Sequence, residues 1–501
     1  MEMPSIFVNR EEELKQIQEA VADLQDKKKL LRTPLIEFSG VQGIGKSTLL
    51  QNIKLLCEKK KVKCFFEDAA QVTPQVFDQV QALTKAEKPV VMILDSLDAL
   101  DDQRFQDIEQ RLSDLLKSEK TFIVIASRNV QKFERTHSLK RKLTVFPLEP
   151  LQQECCIEYL DHFPQTTSPQ IRDIIFDWTR GYPLAMITMV KAIQKKHLNP
   201  LLKKDQKGLI KILMKEVVDN KLLAAAAEQR PRLRTLLSIL SHPRRFNLTL
   251  AQDLIEKFAL QYALESSLAY ITLPQTINEV TNVLSYSLER AGYSIDTPVR
   301  HLFLLHSKIE KPEHYADIHK FLAEKNKLYM GRVSGSDRVR YLREFLYHYA
   351  CTETAGTVKQ ELERQIEQLV RDEEGTHENF VRFYEEFRQD EELMEALGAE
   401  NTDVVLSLIA KTIIEIYRQL PQKDRQKWLK RSFSSITYHT HNEGFILMLA
   451  REIRQLLQQV TRDEAEKLYY ELFQDDSLKI LLGKQFEGLR TQLLASFLQK
   501  E

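Results

Sequence analysis

The chain has 501 residues, too many for a single hydrophobic core, so about three or four domains are expected. Its apolar fraction of 43% is that of an ordinary soluble protein, and 72 Lys plus Arg balance 72 Asp plus Glu, which excludes a whole-chain basic footprint for nucleic acid or anionic membrane. Five cysteines without a C-x-x-C pair point to reduced thiols, and neither a signal-peptide pattern nor a run of about 18 apolar residues occurs, so a cytoplasmic protein with no membrane contact is expected.

The first 150 residues alternate helix and strand. Glu11 to Leu24 has amphipathic helical spacing. Strands are expected at Leu35 to Ser39, Val62 to Glu67, Val90 to Leu94, Thr121 to Ala126 and Leu143 to Phe146, with helical patterns such as Arg104 to Ser118 between them. Strands that are apolar throughout and alternate with helices predict a parallel sheet covered on both faces. Ligands of such sheets lie at the carboxyl ends of the strands.

The first expected strand runs into Gly40-Val41-Gln42-Gly43-Ile44-Gly45-Lys46-Ser47-Thr48, and a helical run follows from Leu49 to Leu56. This is G-x-x-x-x-G-K-[ST] in the strand–loop–helix context that the motif needs. Glycines let the backbone curl until its N–H groups point at phosphate oxygens, and the helix N-terminus adds partial positive charge. Lys46 is then the β/γ-phosphate contact and the Ser47 hydroxyl a Mg²⁺ ligand. The chemistry implies ATP or ADP with Mg²⁺.

Two further strands end in polar side chains. Val90 to Asp95 closes on a carboxylate that could hold the Mg²⁺ shell opposite Ser47 or could cap the next turn. Asp98, three residues on, could orient an attacking water or serve as a helix N-cap before Gln103. Thr121 to Arg128 ends in Ser-Arg, and the guanidinium of Arg128 could sense the γ-phosphate or be a surface cation paired to a carboxylate. Gly181-Tyr182-Pro183 by itself reads as a turn between helices.

From residue 151 the strand pattern stops. Helices are expected at Glu154 to Phe163, Pro169 to Thr179, Leu184 to Lys196 and Asp205 to Ala227, making a bundle over 151–229. Between 230 and 310, helices at Arg232 to Leu240, Leu250 to Phe258 and Ile277 to Ala291, then an extended piece at Gly292 to Ile295, suggest a winged helix. Gly331 to Ser336 reads as a linker. Residues 311–501 read as an all-α array, with Val405, Leu408, Ile409, Thr412, Ile413, Ile416 and Tyr417 on one helix face and Pro421 the lone proline after residue 340. Lys59 to Lys63 and Arg244-Arg245 are basic, and each reads as solvated surface.

As an ordered set these motifs resemble the STAND class of signal-transduction ATPases, which includes the NACHT proteins. Phe7 to Leu14 resembles the opening V-x-R-E-x-E-L signature, Leu94 to Asp98 the Walker B form, Ser127-Arg128 the sensor T-S-R, and Thr179 to Leu184 the G-x-P motif whose proline packs on adenine in that family. Leu148 to Leu151 resembles the short run after strand five. The resemblance covers residues 5 to 305. It implies nucleotide contacts from Val8, Arg10, Gly40 to Thr48, Arg128 and Pro183, catalytic roles for Lys46, Asp95 and Asp98, and Mg²⁺ at Ser47 and Asp95. It also implies a switch that is closed with ADP and oligomerises with ATP, with a protein effector or ligand engaging the C-terminal array. Signalling, defence and transcription control are the pathways such switches serve.

The chain departs from the family in three places. Ser96 and Ala99 stand where relatives carry acids, so slow hydrolysis is expected. Asp296 replaces the histidine that contacts the ADP phosphate, so it either points elsewhere or the closed state is held differently. The signature begins at Phe7, so the effector is expected to be a separate protein, or the output to be the oligomer or the array. The alternative is a DNA-handling AAA+-like ATPase of the origin-recognition or transposition-regulator type, for which Arg244-Arg245 is the supporting feature; neutral charge and Gly181-Tyr182-Pro183 disfavour it.

Overall fold

The computed structural model describes residues 8, 10–26, 28–128, 130, 133, 135–288, 292–371 and 378–419, with short pieces at 450, 453–454 and 486–491. Two compact units, Met1–Tyr315 and Ala316–Glu501, divide the chain.

The first unit opens with α1 (Glu11–Gln25), β1 (Leu35–Ser39), α2 (Lys46–Lys59), β2 (Lys63–Asp68), α3 (Pro74–Lys85), β3 (Val90–Asp95), α4 (Asp102–Leu115), β4 (Thr121–Ser127), α5 (His137–Lys142) and β5 (Leu143–Pro147). The strands form one sheet in the order β2-β3-β4-β1-β5, and every pairing is parallel. Met92, Leu94, Ile123 and Ile125 join a buried cluster with Phe77, Ile108 and Leu112 of α3 and α4. The intervening Val91, Ile93, Phe122 and Val124 are equally buried, and alternation sends them to the opposite face, where α1 and α2 lie against β3 and β4. This is a P-loop α/β arrangement. Each fully buried Leu, Ile or Phe contributes about 1.5–3 kcal/mol, so the apolar strands hold the sheet.

The register levels the strand ends. Ser39 is opposite Ser127 on one side and Pro147 on the other. The segment leaving β1 therefore emerges between the ends of β4 and β5.

Four helices follow: α6 (Gln153–Asp161), α7 (Pro169–Thr179), α8 (Pro183–Lys196) and α9 (Lys203–Leu213). The single helix expected from Asp205 to Ala227 is instead three pieces: α9, a π-helical segment (Met214–Leu222) and a 3₁₀ segment (Ala224–Gln229) in which Ala227 leaves helical geometry at φ 45°, ψ −121°. Buried pairs recur here every four residues, at Leu209/Ile210, Leu213/Met214 and Val217/Val218, with Leu222 next. That period exceeds 3.6, and the wider winding keeps the pairs on one buried face.

The unit ends with α10 (Arg230–Leu240), α11 (Leu248–Phe258), α12 (Leu273–Val280), β6 (Leu284–Ser287), β7 (Gly292–Ile295) and α13 (Thr297–Glu310). The helix expected to run from Ile277 to Ala291 stops at Val280, and residues after it form an antiparallel β6–β7 hairpin. The cause is local. Asn282 takes positive φ (54°), and the Asn278 amide bonds both the N–H and the C=O of Leu284 at 2.8 Å, turning the chain into β6.

The second unit is helical among the described residues: α14 (Pro312–Met330, whose first turn precedes the boundary), α15 (Gly335–Ala350), α16 (Ala355–Arg371), α17 (Glu378–Arg388) and α18 (Glu391–Gln419), which bends at Gly398. The expected linker at Gly331 to Ser336 is a short turn joining α14 to α15. Leu342, Phe345, Leu362, Ile366, Phe383, Phe387, Val405 and Ile409 share one core, and Arg343 joins Glu386 (2.6 Å) and Asp390. Leu408 packs on that core; the side chains of Ile413, Ile416 and Tyr417, and all of Pro421, lie outside the described residues. Among the described residues no helix is long and apolar enough to cross a membrane.

Candidate phosphate-binding site

Gly40 to Gly45 form the turn between β1 and α2, and Gly45 is the left-handed N-cap of α2 at φ 107°. The Gly40 N–H donates to the carbonyls of Ser127 (3.3 Å) and Arg128 (3.1 Å), and the Leu148 N–H donates to Ser39 O at 2.7 Å. The loop is thus strapped to the ends of both neighbouring strands. Lys46, first residue of α2, turns its Nζ back onto the loop carbonyls of Gly40 (2.5 Å) and Val41 (3.1 Å).

The turn ahead of α8 meets this loop from the other side. Tyr182, almost wholly buried, donates its hydroxyl to Gln42 O, and the Leu184 N–H donates to Gly43 O at 3.2 Å. Gly43 sits at φ 86°, where a Cβ would lie 2.6 Å from that of Leu184. Gly181, at φ 70°, would place a Cβ 1.9 Å from Leu151 O, and the Leu151 N–H bonds Gly181 O at 2.9 Å. Pro183 is the first residue of α8, beside the loop. Taken by itself Gly181-Tyr182-Pro183 reads as a turn, and the family resemblance makes it a nucleotide-contacting motif; the fold packs it against the loop as a buttress.

The remaining predicted residues converge on Lys46. Burial pushes its ammonium down to about 8, with Arg128 adding to the effect and Asp98, Asp95 and Asp296 opposing it. Asp95 ends β3 and accepts the Ser96 N–H at 2.8 Å. Asp98 accepts the backbone N–H of Arg128 at 2.9 Å and lies 3.3 Å from its Nε. The N-cap role weighed for Asp98 is not what the structure has: Asp101 caps α4 by accepting the Arg104 N–H at 2.8 Å. Arg128 is carboxylate-paired, as one of its two readings held.

Val8 is buried, and Arg10 directs its guanidinium to Glu149 O (2.7 Å) and Glu13 (3.4 Å), while Phe7 and Asn9 lie outside the described residues. Burial lowers the Arg10 pKa, and Glu13 opposes that shift.

Two participants were not singled out from sequence. Tyr182 is one. Glu37, in the middle of β1, is fully buried and accepts the Ser127 hydroxyl at 2.5 Å; a charged residue inside an apolar strand was the available signal. Asp296, which stands where the resembled family has a histidine, also reaches the site. Its possible orientation away from the site is not observed, because it lies close enough to Lys46, Glu149 and Tyr182 to act on them electrostatically. Burial, reinforced by Glu149 and opposed by Lys46, pushes its carboxyl up to about 7.

The oxygens available suit a hard divalent cation. The Ser47 hydroxyl heads α2, Asp95 closes β3, and Gln42 Oε1 is buried in the loop without a hydrogen-bond partner. Mg²⁺ takes one or two protein oxygens and fills its shell with water and phosphate, so this set fits it. Among the described residues there is no separate cluster of His, Cys, Asp and Glu able to hold a metal.

No protein-family model matches the chain, and no curated protein matches it. Solved structures do. Cdc6p from Pyrobaculum aerophilum is 15% identical, with 62% of this chain and 96% of that one covered, at a TM-score of 0.34. The Thermotoga maritima RuvB Holliday-junction branch-migration motor is 12% identical, covering 58% and 92%, at 0.33. The Aeropyrum pernix Orc1 protein, solved in complex with DNA, is 15% identical, covering 62% and 94%, at 0.33.

Proposed function

We propose that this protein is a nucleotide-gated switch of the STAND type that binds ADP or ATP with Mg²⁺ at Gly40 to Thr48, holds a closed form with ADP and oligomerises with ATP. The observation that carries the reading is the position of Asp296. It stands at the head of α13, directly after the β6–β7 hairpin, yet it acts on Lys46 of the phosphate loop. We read α10 to α13 with that hairpin as a winged helix, and Asp296 as its contact with the nucleotide pocket. A group that alters the charge at Lys46 then alters the energy of holding this module in place, which is the requirement for ligand-driven population shift.

The residues divide the work. Loop N–H groups and Lys46 bind phosphate, Ser47 and Asp95 hold the cation, Pro183 borders the base, and Val8 and Arg10 support the pocket wall. Mg²⁺, held by Ser47 and Asp95, would supply charge neutralisation for the phosphates. Asp98 is the acid available to orient water, and its ion pair with Arg128 ties that role to γ-phosphate sensing. With Ser96 and Ala99 offering no second acid, turnover is slow. The C-terminal helical unit takes the protein effector or ligand.

The test is to denature purified protein, identify the released nucleotide by chromatography, and measure native mass with ADP and with ATP. Bound ADP, a monomer with ADP and a larger species with ATP are expected. Equal mass in both states would overturn the switch. DNA retention that weakens steeply with salt would favour the DNA-handling alternative; α12, between the helices and the hairpin, carries no Lys or Arg, and Arg244-Arg245 remains that reading's supporting feature.

A further inference from the structure

A second cationic cavity lies within the first unit, in elements separate from the Gly40 loop. Lys211 of α9, Lys215 and Asp219 of the π-helical segment, and Arg230 and Arg234 of α10 line an open cavity of about 530 Å³. That volume is in the range of small-molecule sites. Lys211, Lys215 and Asp219 recur every four residues, so they share one face of the segment.

The charges at this cavity do not balance. Arg234 Nη1 pairs with Asp219 Oδ2 at 2.7 Å, and Lys211 lies 3.6 Å from Glu310. Arg230 anchors its Nε on Leu223 O at 3.3 Å, which leaves its charge without a carboxylate among the contacts described. Lys215 is exposed and has neither hydrogen bond nor ion pair among the described residues. Two positive charges are therefore in excess. A neighbouring titratable group registers the field: His306 is pushed down to about 4 by burial and then by Arg234 and Lys311, against Glu310. One acceptor is also left over, because Asp219 Oδ1 is buried without a hydrogen-bond partner.

We infer that this cavity binds a small phosphate ester carrying two phosphate groups and an O–H or N–H that donates to Asp219. Two phosphates match the cationic excess, guanidinium and ammonium groups are the donors phosphate takes, and the leftover acceptor selects for a donor on the same molecule. The site joins the π-helical segment to α10 across the non-helical Ala227, so the ligand would fasten the helical bundle to the module that follows it. A π-helical turn at such a place accords with its frequent use at functional sites. The inference goes beyond the nucleotide switch and does not depend on it.

The experiment is calorimetric titration of inorganic pyrophosphate into the full-length protein in Mg²⁺-free buffer without added nucleotide, with Lys46→Ala removing the phosphate-binding ammonium of the Gly40 loop. A binding isotherm is expected. It should persist in Lys46→Ala and weaken by about tenfold or more in Lys215→Glu, where a like charge faces the anion. Lys215 is exposed and uncommitted, so its substitution leaves folding intact, which an unliganded melting curve verifies. Absence of the isotherm in the wild type overturns the inference, as does an isotherm abolished by Lys46→Ala and kept by Lys215→Glu, which would place pyrophosphate at the loop. Lys215-dependent retention of DNA or anionic vesicles without a pyrophosphate isotherm would overturn it in favour of a macromolecular surface.

Discussion

Asp98 holds Arg128 at two points: its carboxylate accepts the Arg128 backbone N–H at 2.9 Å and lies 3.3 Å from the guanidinium Nε. The residue assigned to water and the residue assigned to the γ-phosphate are therefore one unit, and the same Arg128 carbonyl receives the N–H of Gly40. Changing Asp98→Asn keeps an acceptor oxygen but removes the charge. ATP turnover should fall about 100-fold with nucleotide affinity little changed. Wild-type turnover in this variant would sink the assignment.

Lys46 makes nucleotide binding pH-dependent. Its pKa lies near 8 against an ordinary 10.5, and a bound phosphate favours the charged form. Binding should take up protons near pH 8 and weaken as pH rises through that value, seen as a buffer-dependent enthalpy that Lys46→Ala reduces, with the remainder belonging to Asp296. For the ligand-free protein the sign is opposite. Between about 8 and 10.5 the unfolded chain holds the extra proton, so this group's contribution to stability rises with pH across that window.

Asp296 acts in a lower window. Its carboxyl titrates near 7 against an ordinary 3.8, with Glu149 and Lys46 the charged groups acting on it. The folded state holds the extra proton between those values, so its stability contribution is present at low pH and lost as pH rises through about 7. Above 7 its charge opposes phosphate. Asp296→Asn should tighten ADP binding about tenfold at pH 8 and leave it nearly unchanged at pH 6. Equal affinities at both pH values, before and after substitution, would remove Asp296 from the site.

The contact between the loop and the turn before α8 should be measurable as stability. Tyr182→Phe deletes only the hydroxyl that bonds Gln42 O, and should cost about 1 kcal/mol in denaturant unfolding while weakening ADP binding.

Gly181→Ala should be harsher. The position needs φ 70° and has Leu151 O where the Cβ would go, so a loss of about 2–4 kcal/mol is expected from thermal unfolding. A neutral result would mean that the turn is free to move off Leu151, and that the buttress is not rigid.

Much was legible in the chain because its signals are local. An apolar run such as Val90 to Leu94 can only be buried, so the parallel sheet followed from strand composition. The Gly40 to Thr48 spacing specifies a loop whose backbone must curl, and it lies where the motif required, at the end of β1. Local signals failed where packing overrode propensity. The stretch from Met214 to Ala227 is expected to continue one helix, yet the four-residue recurrence of buried pairs winds Met214–Leu222 as a π-helix, and the alanine-rich run after it, a good helix former, is a 3₁₀ segment broken at Ala227. Asn278 and Asn282 ended α12 through side-chain bonds and a positive φ that hydrophobic periodicity does not register.

What the sequence determined by itself is the sheet, the phosphate loop and the identity of the charged groups able to serve it, because strand burial and glycine geometry depend on neighbours in the chain. What only the tertiary structure decided is which of those groups meet. Asp98 with Arg128, Tyr182 with Gln42, and Asp296 with Lys46 are separated by 30, 140 and 250 residues, and their pairing depends on how β-strand ends are levelled and how α8 and α13 pack back onto them. Electrostatic coupling falls with distance in space and is blind to distance along the chain, so the site's charge balance belongs to the fold.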